Sequence, residues 1–170
     1  MSDCLLYCIY LIWLAAGFAD FRCHRRTSLA TTSGLAESSL HLLQIGIALA
    51  ALGVWLLLQP TWPVYVLLLV MTACHAAVGY LDTKSAYLKR HLSPAEQHLH
   101  SVLDIAPWIL LGGAISQGVE QGGWIRRAPP VRGLTWPLLI VPGAALCLLP
   151  AAHEFYRAVR ARKMGMGSQG

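Results

Sequence analysis

Residues 38–59 read SSLHLLQIGIALAALGVWLLLQ, an apolar run without a single Asp, Glu, Lys or Arg. A bilayer core is crossed by about 20 such residues in helical form. Four further apolar stretches lie at 4–21, 63–82, 101–119 and 134–153. The first is short, and the fourth carries Asp104, Pro107 and Gln117. Five spans are expected, with four clean spans and one compromised span as the competing count. Composition points the same way. The chain is 56% hydrophobic and 12% charged, with mean hydropathy +0.53, whereas soluble chains average about 25% charged residues. Lipid cannot satisfy open backbone groups, and no alternating barrel strands are present, so the spans are expected to be helices. The fold class expected is an all-α integral membrane protein, a bundle of about five transmembrane helices. One domain over residues 1–163 is expected, followed by a flexible Gly-rich tail at 164–170.

A cleaved signal peptide is the competing account of residues 1–21, because Ala15, Ala16, Gly17 and Ala19 supply small residues. The flanks argue against it. Only Asp3 precedes the apolar run, whereas Arg22, Arg25 and Arg26 follow it, the charge order of an uncleaved anchor with its N-terminus outside. With five spans, that orientation puts 10 of the 13 Lys and Arg on the cytoplasmic side, together with the C-terminus. Arg126, Arg127 and Arg132 are the exceptions, in an outer Gly/Pro loop. Trp62, Trp124 and Trp136 fall where amphipathic rings settle at the outer interface. The net charge of +5 is thereby assigned to topology and membrane lipid headgroups, not to nucleic acid. The five cysteines form no CxxC, so neither a thiol redox motif nor a zinc knuckle is indicated.

Three carboxylates are each followed, four residues on, by a histidine: Asp20/His24, Glu37/His41 and Glu96/His100. Random placement of the 8 acids and 7 histidines gives roughly 0.3 such pairs. A four-residue step returns to the same helix face one turn on, so each pair aims at one point. Under the expected topology these pairs, with His75, Asp82 and Asp104, gather at the cytoplasmic helix ends. Two layers of carboxylate and imidazole follow, about 5–10 Å apart in depth. His24, Glu37, Asp82 and Glu96 form the shallower layer; Asp20, His41, His100, His75 and Asp104 lie deeper. His153 and Glu154 close the fifth span. Gln44, Tyr80, Ser38 and Ser101 are candidates to hold the imidazoles in place, while His91 and His98 are expected to stand apart.

Each residue taken singly has a plainer explanation. Ser93-Pro94-Ala95-Glu96 has the form of a capping box. Glu37 is a favourable first-turn acid, and Asp20 and Asp82 have basic neighbours in sequence. The deeper groups resist this treatment. An ionisable group near mid-membrane costs about 2.5–3.5 kcal/mol on insertion scales and rarely persists without a partner or a task.

The expected metal ligands are therefore Asp20, His24, Glu37, His41, His75, Asp82, Glu96, His100 and Asp104, with Glu37 and Glu96 also candidate catalytic bases. Mixed imidazole and carboxylate donors suit iron first, then manganese, then zinc. The expected function is that of a di-iron, non-haem oxidoreductase acting on a lipid or lipid-soluble substrate, with an external electron donor. A zinc-dependent lipid hydrolase is the alternative. Two non-enzymatic readings remain: a divalent-metal or proton pathway, and a haem site on His41, His75 or His100, which would leave the carboxylates without a role.

Overall fold

A computed structural model describes residues 1–26, 34–87, 89, 92–120 and 135–167, with side chains in the last segment to Met164. The described chain is helical and holds no sheet. Helix α1 is Asp3–Arg26, α2 Gly34–Leu57, α3 Trp62–Tyr87 and α4 Pro94–Ser116. The fifth rod is α5 (Thr135–Gly143), a π-helical turn (Ala144–Leu148) and α6 (Leu149–Gly167). Among the described residues five helices are long and apolar enough to cross a membrane, those holding the short first stretch and the interrupted fourth included.

The helices overrun the apolar stretches at one end of the bundle. Helix α1 continues from the apolar run through Arg26, and α3 through Tyr87. In these extensions His24 and Ala86 are buried between helices, while Arg22, Arg25, Arg26 and Lys84 stay exposed. Helix α6 likewise reaches into the stretch expected to be a flexible tail. Trp124, Arg126, Arg127, Arg132 and His91 lie outside the described residues.

Packing closes the helices into a ring. Helix α1 packs on α4, α4 on α3, α3 on α2, α2 on α6, and the fifth rod returns to α1. A cavity of about 730 Å³, partly open to the outside, is lined by all five. The exterior is apolar: Ile12, Leu43, Leu67, Val70, Ile109 and Val141 are exposed. Buried polar groups such as Asp20, His24, Glu37 and Glu96 lie within, an arrangement that suits a lipid surround.

The end of the bundle opposite these acids is tied by local bonds. Val64, Tyr65, Leu68, Leu111 and Ala114 form its core. The Tyr65 hydroxyl donates to the carbonyls of Ala114 at 2.8 Å and Gly118 at 3.1 Å. Met1 N donates to Ser116 Oγ at 3.1 Å, and the Gln117 amide donates to Asp3.

Two prolines sit inside helices, Pro107 in α4 and Pro142 in α5. Proline lacks the N–H that would bond the carbonyl four residues back, which frees Leu103 O and Leu138 O. Both are claimed by α1: Trp13 Nε1 donates to Leu103 O and the Tyr7 hydroxyl to Leu138 O, each at 3.2 Å. Tyr10 donates to the adjacent Leu139 O. In an apolar surround an orphan carbonyl is costly, so these aromatic donors both satisfy the breaks and fix α1 against its two neighbours.

Candidate metal centre

Every helix delivers polar side chains to one end of the ring. The four-residue spacing in α1 puts Asp20 and His24 on its inner face, and the same step in α4 does so for Glu96 and His100. Helix α2 opens at Gly34 with φ +53°, a left-handed value that glycine adopts without strain. One turn on, Glu37 is turned inward, and His41 follows a turn later. Glu37 and Glu96 are both 0% exposed and His24 is 1%. Helix α3 adds the buried Asp82, and α6 adds the buried Glu154.

The distances describe a converging set. His24 Nε2 lies 3.1 Å from Asp20 Oδ2, 3.4 Å from Glu96 Oε1 and 3.7 Å from Glu37 Oε1. His100 Nε2 lies 3.2 Å from Asp20 Oδ1, and His41 Nε2 lies 3.1 Å from Asp82 Oδ2. Two groups emerge whose ligand atoms all fall within 4.8 Å of one another: Asp20, His24, Glu96 and His100, and His24, Glu37 and His41. Nitrogen and oxygen ligands about 2.0–2.2 Å from a metal lie roughly 3–4 Å from each other, the range these contacts occupy.

The histidines are held by their other nitrogen. Glu154 spans two of them, with Oε2 3.0 Å from His24 Nδ1 and Oε1 2.7 Å from His41 Nδ1. Thr83 Oγ1 lies 3.1 Å from His100 Nδ1. With Nδ1 engaged in all three, every Nε2 is directed at carboxylate oxygen, the arrangement that sets a metal-binding imidazole's tautomer and aim. A bare Nε2 lone pair facing a carboxylate oxygen is repulsive unless a cation, proton or metal, lies between them. For His100 and Asp20 the angles are not those of a hydrogen bond, and Asp20 Oδ1 and His100 Nε2 have no hydrogen-bond partner among the described residues. The rings of His24 and His41 stack at 4.6 Å and 3°. Phe21 stands edge-on to both, at 5.8 and 5.6 Å, and forms an apolar wall.

Six of the nine expected ligands fall in these two groups, Asp20, His24, Glu37, His41, Glu96 and His100, and Asp82 joins them through His41. His75 and Asp104 belong to neither group and line the cavity deeper in the bundle. The capping box is half realised. Ser93 Oγ accepts from Glu96 N at 3.2 Å, while the Glu96 carboxylate approaches His24. Among the expected holders of the imidazoles, Ser38 and Ser101 spend their hydroxyls on Gly34 O and Gln97 O of their own helices, and Tyr80 is exposed. His98 is exposed too.

Glu154 and Thr83 take the holding role instead. Sequence reasoning placed Glu154 only at a helix end. Its signal was the spacing Ala151, Glu154, Ala158, which sets two small residues and one acid on a single face. The alanines are 0% and 1% exposed, and small residues of this kind let helices approach closely. No family model, curated protein or solved structure matches the chain, so the chemistry of the site is argued from its geometry alone.

Proposed function

We propose that this chain is a multi-pass membrane enzyme whose buried cluster holds two metal ions and oxidises a lipid-soluble substrate. The observation that carries this reading is the common posture of His24, His41 and His100, each held through Nδ1 and each presenting Nε2 to carboxylate oxygen at 3.1–3.7 Å. One imidazole nitrogen serves one ion. Asp20, His24, Glu96 and His100 would hold the first, with Glu37, His41 and Asp82 for the second. Seven oxygen and nitrogen donors, none of them thiolate, favour iron, then manganese, then zinc. Iron so held supplies oxygen-dependent oxidation, with electrons from an external donor.

The chain's own residues prepare that chemistry. Glu154 and Thr83 fix the imidazoles, and Phe21 keeps one side of the cluster apolar. Asp20, His41, Asp82 and His100 also line the central cavity, so a guest in the cavity reaches the cluster without leaving the bundle. In the proposed topology the cluster lies at the cytoplasmic face, where a soluble electron donor has access.

A zinc-dependent hydrolase would use the same donors, with Glu37 or Glu96 as general base. Elemental analysis and an optical spectrum of detergent-purified protein separate the two. Iron without a Soret band supports the oxidoreductase, zinc the hydrolase, and a Soret band a haem protein. A protein free of metal after expression in metal-replete medium would reduce the cluster to a buried ion-pair network.

A further inference from the structure

One turn below the cluster, a second set of polar groups faces the cavity and takes no part in either metal group. His75 is 7% exposed, and its Nδ1 has no hydrogen-bond partner among the described residues. Trp13 stands edge-on to its ring at 5.7 Å. Gln44 and Asp104 line the same part of the cavity, with Thr72 beside them. Gly79 makes room for them. A Cβ there would come within 2.7 Å of Asp104 Oδ1 and 2.8 Å of Gln44 Nε2. From this level to Asp3 the cavity wall is otherwise almost wholly apolar, with Leu6, Leu14, Leu52, Leu68 and Leu110 among its residues.

The dimensions limit what fits. The wall runs along α1 from Asp3 to Asp20, about 25 Å at 1.5 Å per residue. Spread over that length, about 730 Å³ gives a mean cross-section on the order of 30 Å². Carbon atoms in contact stand about 3.5–4.0 Å apart, so the space takes an extended hydrocarbon chain lengthwise, and the one set of polar groups provides for one head. The apolar part, from Trp13 to Asp3, is about 15 Å long. At roughly 1.25 Å per methylene for tetrahedral carbon bonds of about 1.5 Å, it takes about a dozen carbons.

We infer that the cavity binds a single unbranched long-chain molecule lengthwise. Its oxygen-bearing head lies among Gln44, His75 and Asp104, and its tail points toward Asp3. A hydroxyl or carbonyl head gives His75 the partner it lacks and meets both a donor, the Gln44 amide, and an acceptor, Asp104. The head then sits one turn, about 5 Å, from His41 and His100. Identifying this molecule as the substrate rests on the metal-site reading above; its binding does not.

The test uses full-length protein in phosphatidylcholine nanodiscs and a dodecanol analogue with a diazirine on its terminal carbon. Photolabelling is expected at the Asp3 end of the cavity, on Leu6, Leu110 or Leu138. Unlabelled dodecanol should suppress it. Hexanol should be at least about a hundredfold less effective, since each buried methylene contributes severalfold in affinity. Thr72→Phe, which narrows the cavity, should abolish this labelling, and competition in the unaltered protein decides the matter even if that variant fails to fold. Labelling confined to outward residues such as Leu67 and Val70, without competition, would overturn the proposal. Labels at Gln44 or His75 would overturn the head assignment. Repeating the experiment after chelation, with metal content measured in parallel, separates the two readings, because chain binding should survive loss of the ions.

Discussion

Glu154 is the residue on which the cluster's geometry turns, because one carboxylate holds two imidazoles. Glu154→Gln leaves an amide oxygen that can serve only one of them well. Metal affinity should fall about 10–100-fold, the usual loss when a ligand's supporting partner is removed, and His153→Ala, an exposed neighbour, should leave it unchanged. Competition with a chromophoric chelator reads the difference. Glu96 separates a cap from a ligand. Its backbone N–H keeps Ser93 Oγ whatever the side chain, so Glu96→Gln should alter stability by less than the roughly 0.5–2 kcal/mol of a whole cap. Metal affinity should nonetheless drop by about an order of magnitude or more. Full metal retention in Glu96→Gln would return Glu96 to the capping role. His41→Ala and His100→Ala should each deplete metal strongly, while His98→Ala should not. The three spaced pairs were legible because a four-residue step on a helix fixes direction, and Asp82 because it ends the third apolar stretch. Glu154 and Thr83 were not, since nothing in their own helices says which foreign histidine they meet.

At the level of helices, α1 emerges as the organising strut. Its Tyr7 and Trp13 supply the hydrogens that Pro142 and Pro107 remove from α5 and α4. Tyr7→Phe should cost about 0.6–1.7 kcal/mol, the range measured for hydrogen bonds between membrane helices, read by unfolding in mixed micelles. In a Pro142→Ala background Leu138 O regains a donor within its helix, so the cost of Tyr7→Phe should shrink. An unchanged cost would mean that the hydroxyl acts through something other than the proline gap. The positions of the prolines were plain in the sequence, and Pro107 made the fourth span look compromised. What rescues that span is tertiary and comes from a helix some ninety residues away. Helix extents were similarly half legible. Hydropathy marks where a helix meets apolar surroundings, and it stops short where a helix carries on with a polar face, as in residues 22–26 of α1, of which only His24 is buried.

Across the whole molecule, an apolar exterior surrounds a cavity with the polar cluster at one end, and the proposed work on a lipid-soluble molecule rests on that combination. The five long apolar helices were readable because bilayer thickness sets the length to look for. The ring order was not, since all five rods are similarly apolar and their neighbours are chosen by details such as Gly79 and Ala151. Orientation is open to direct measurement. In a variant without its native cysteines, a cysteine at the exposed Trp62 should react with an impermeant reagent added outside the cell, and one at Lys89 only after permeabilisation. The reverse pattern would invert the topology while leaving the cluster intact. The most direct test of the central claim is the metal-to-protein ratio of purified protein, determined alongside a His24→Ala variant. About two ions per chain are expected, with loss of at least the first ion in the variant because His24 is one of its ligands and its Nε2 approaches Asp20, Glu96 and Glu37. A ratio near zero in protein from metal-replete cells, or equal metal content in the two proteins, would contradict a metal centre at this site.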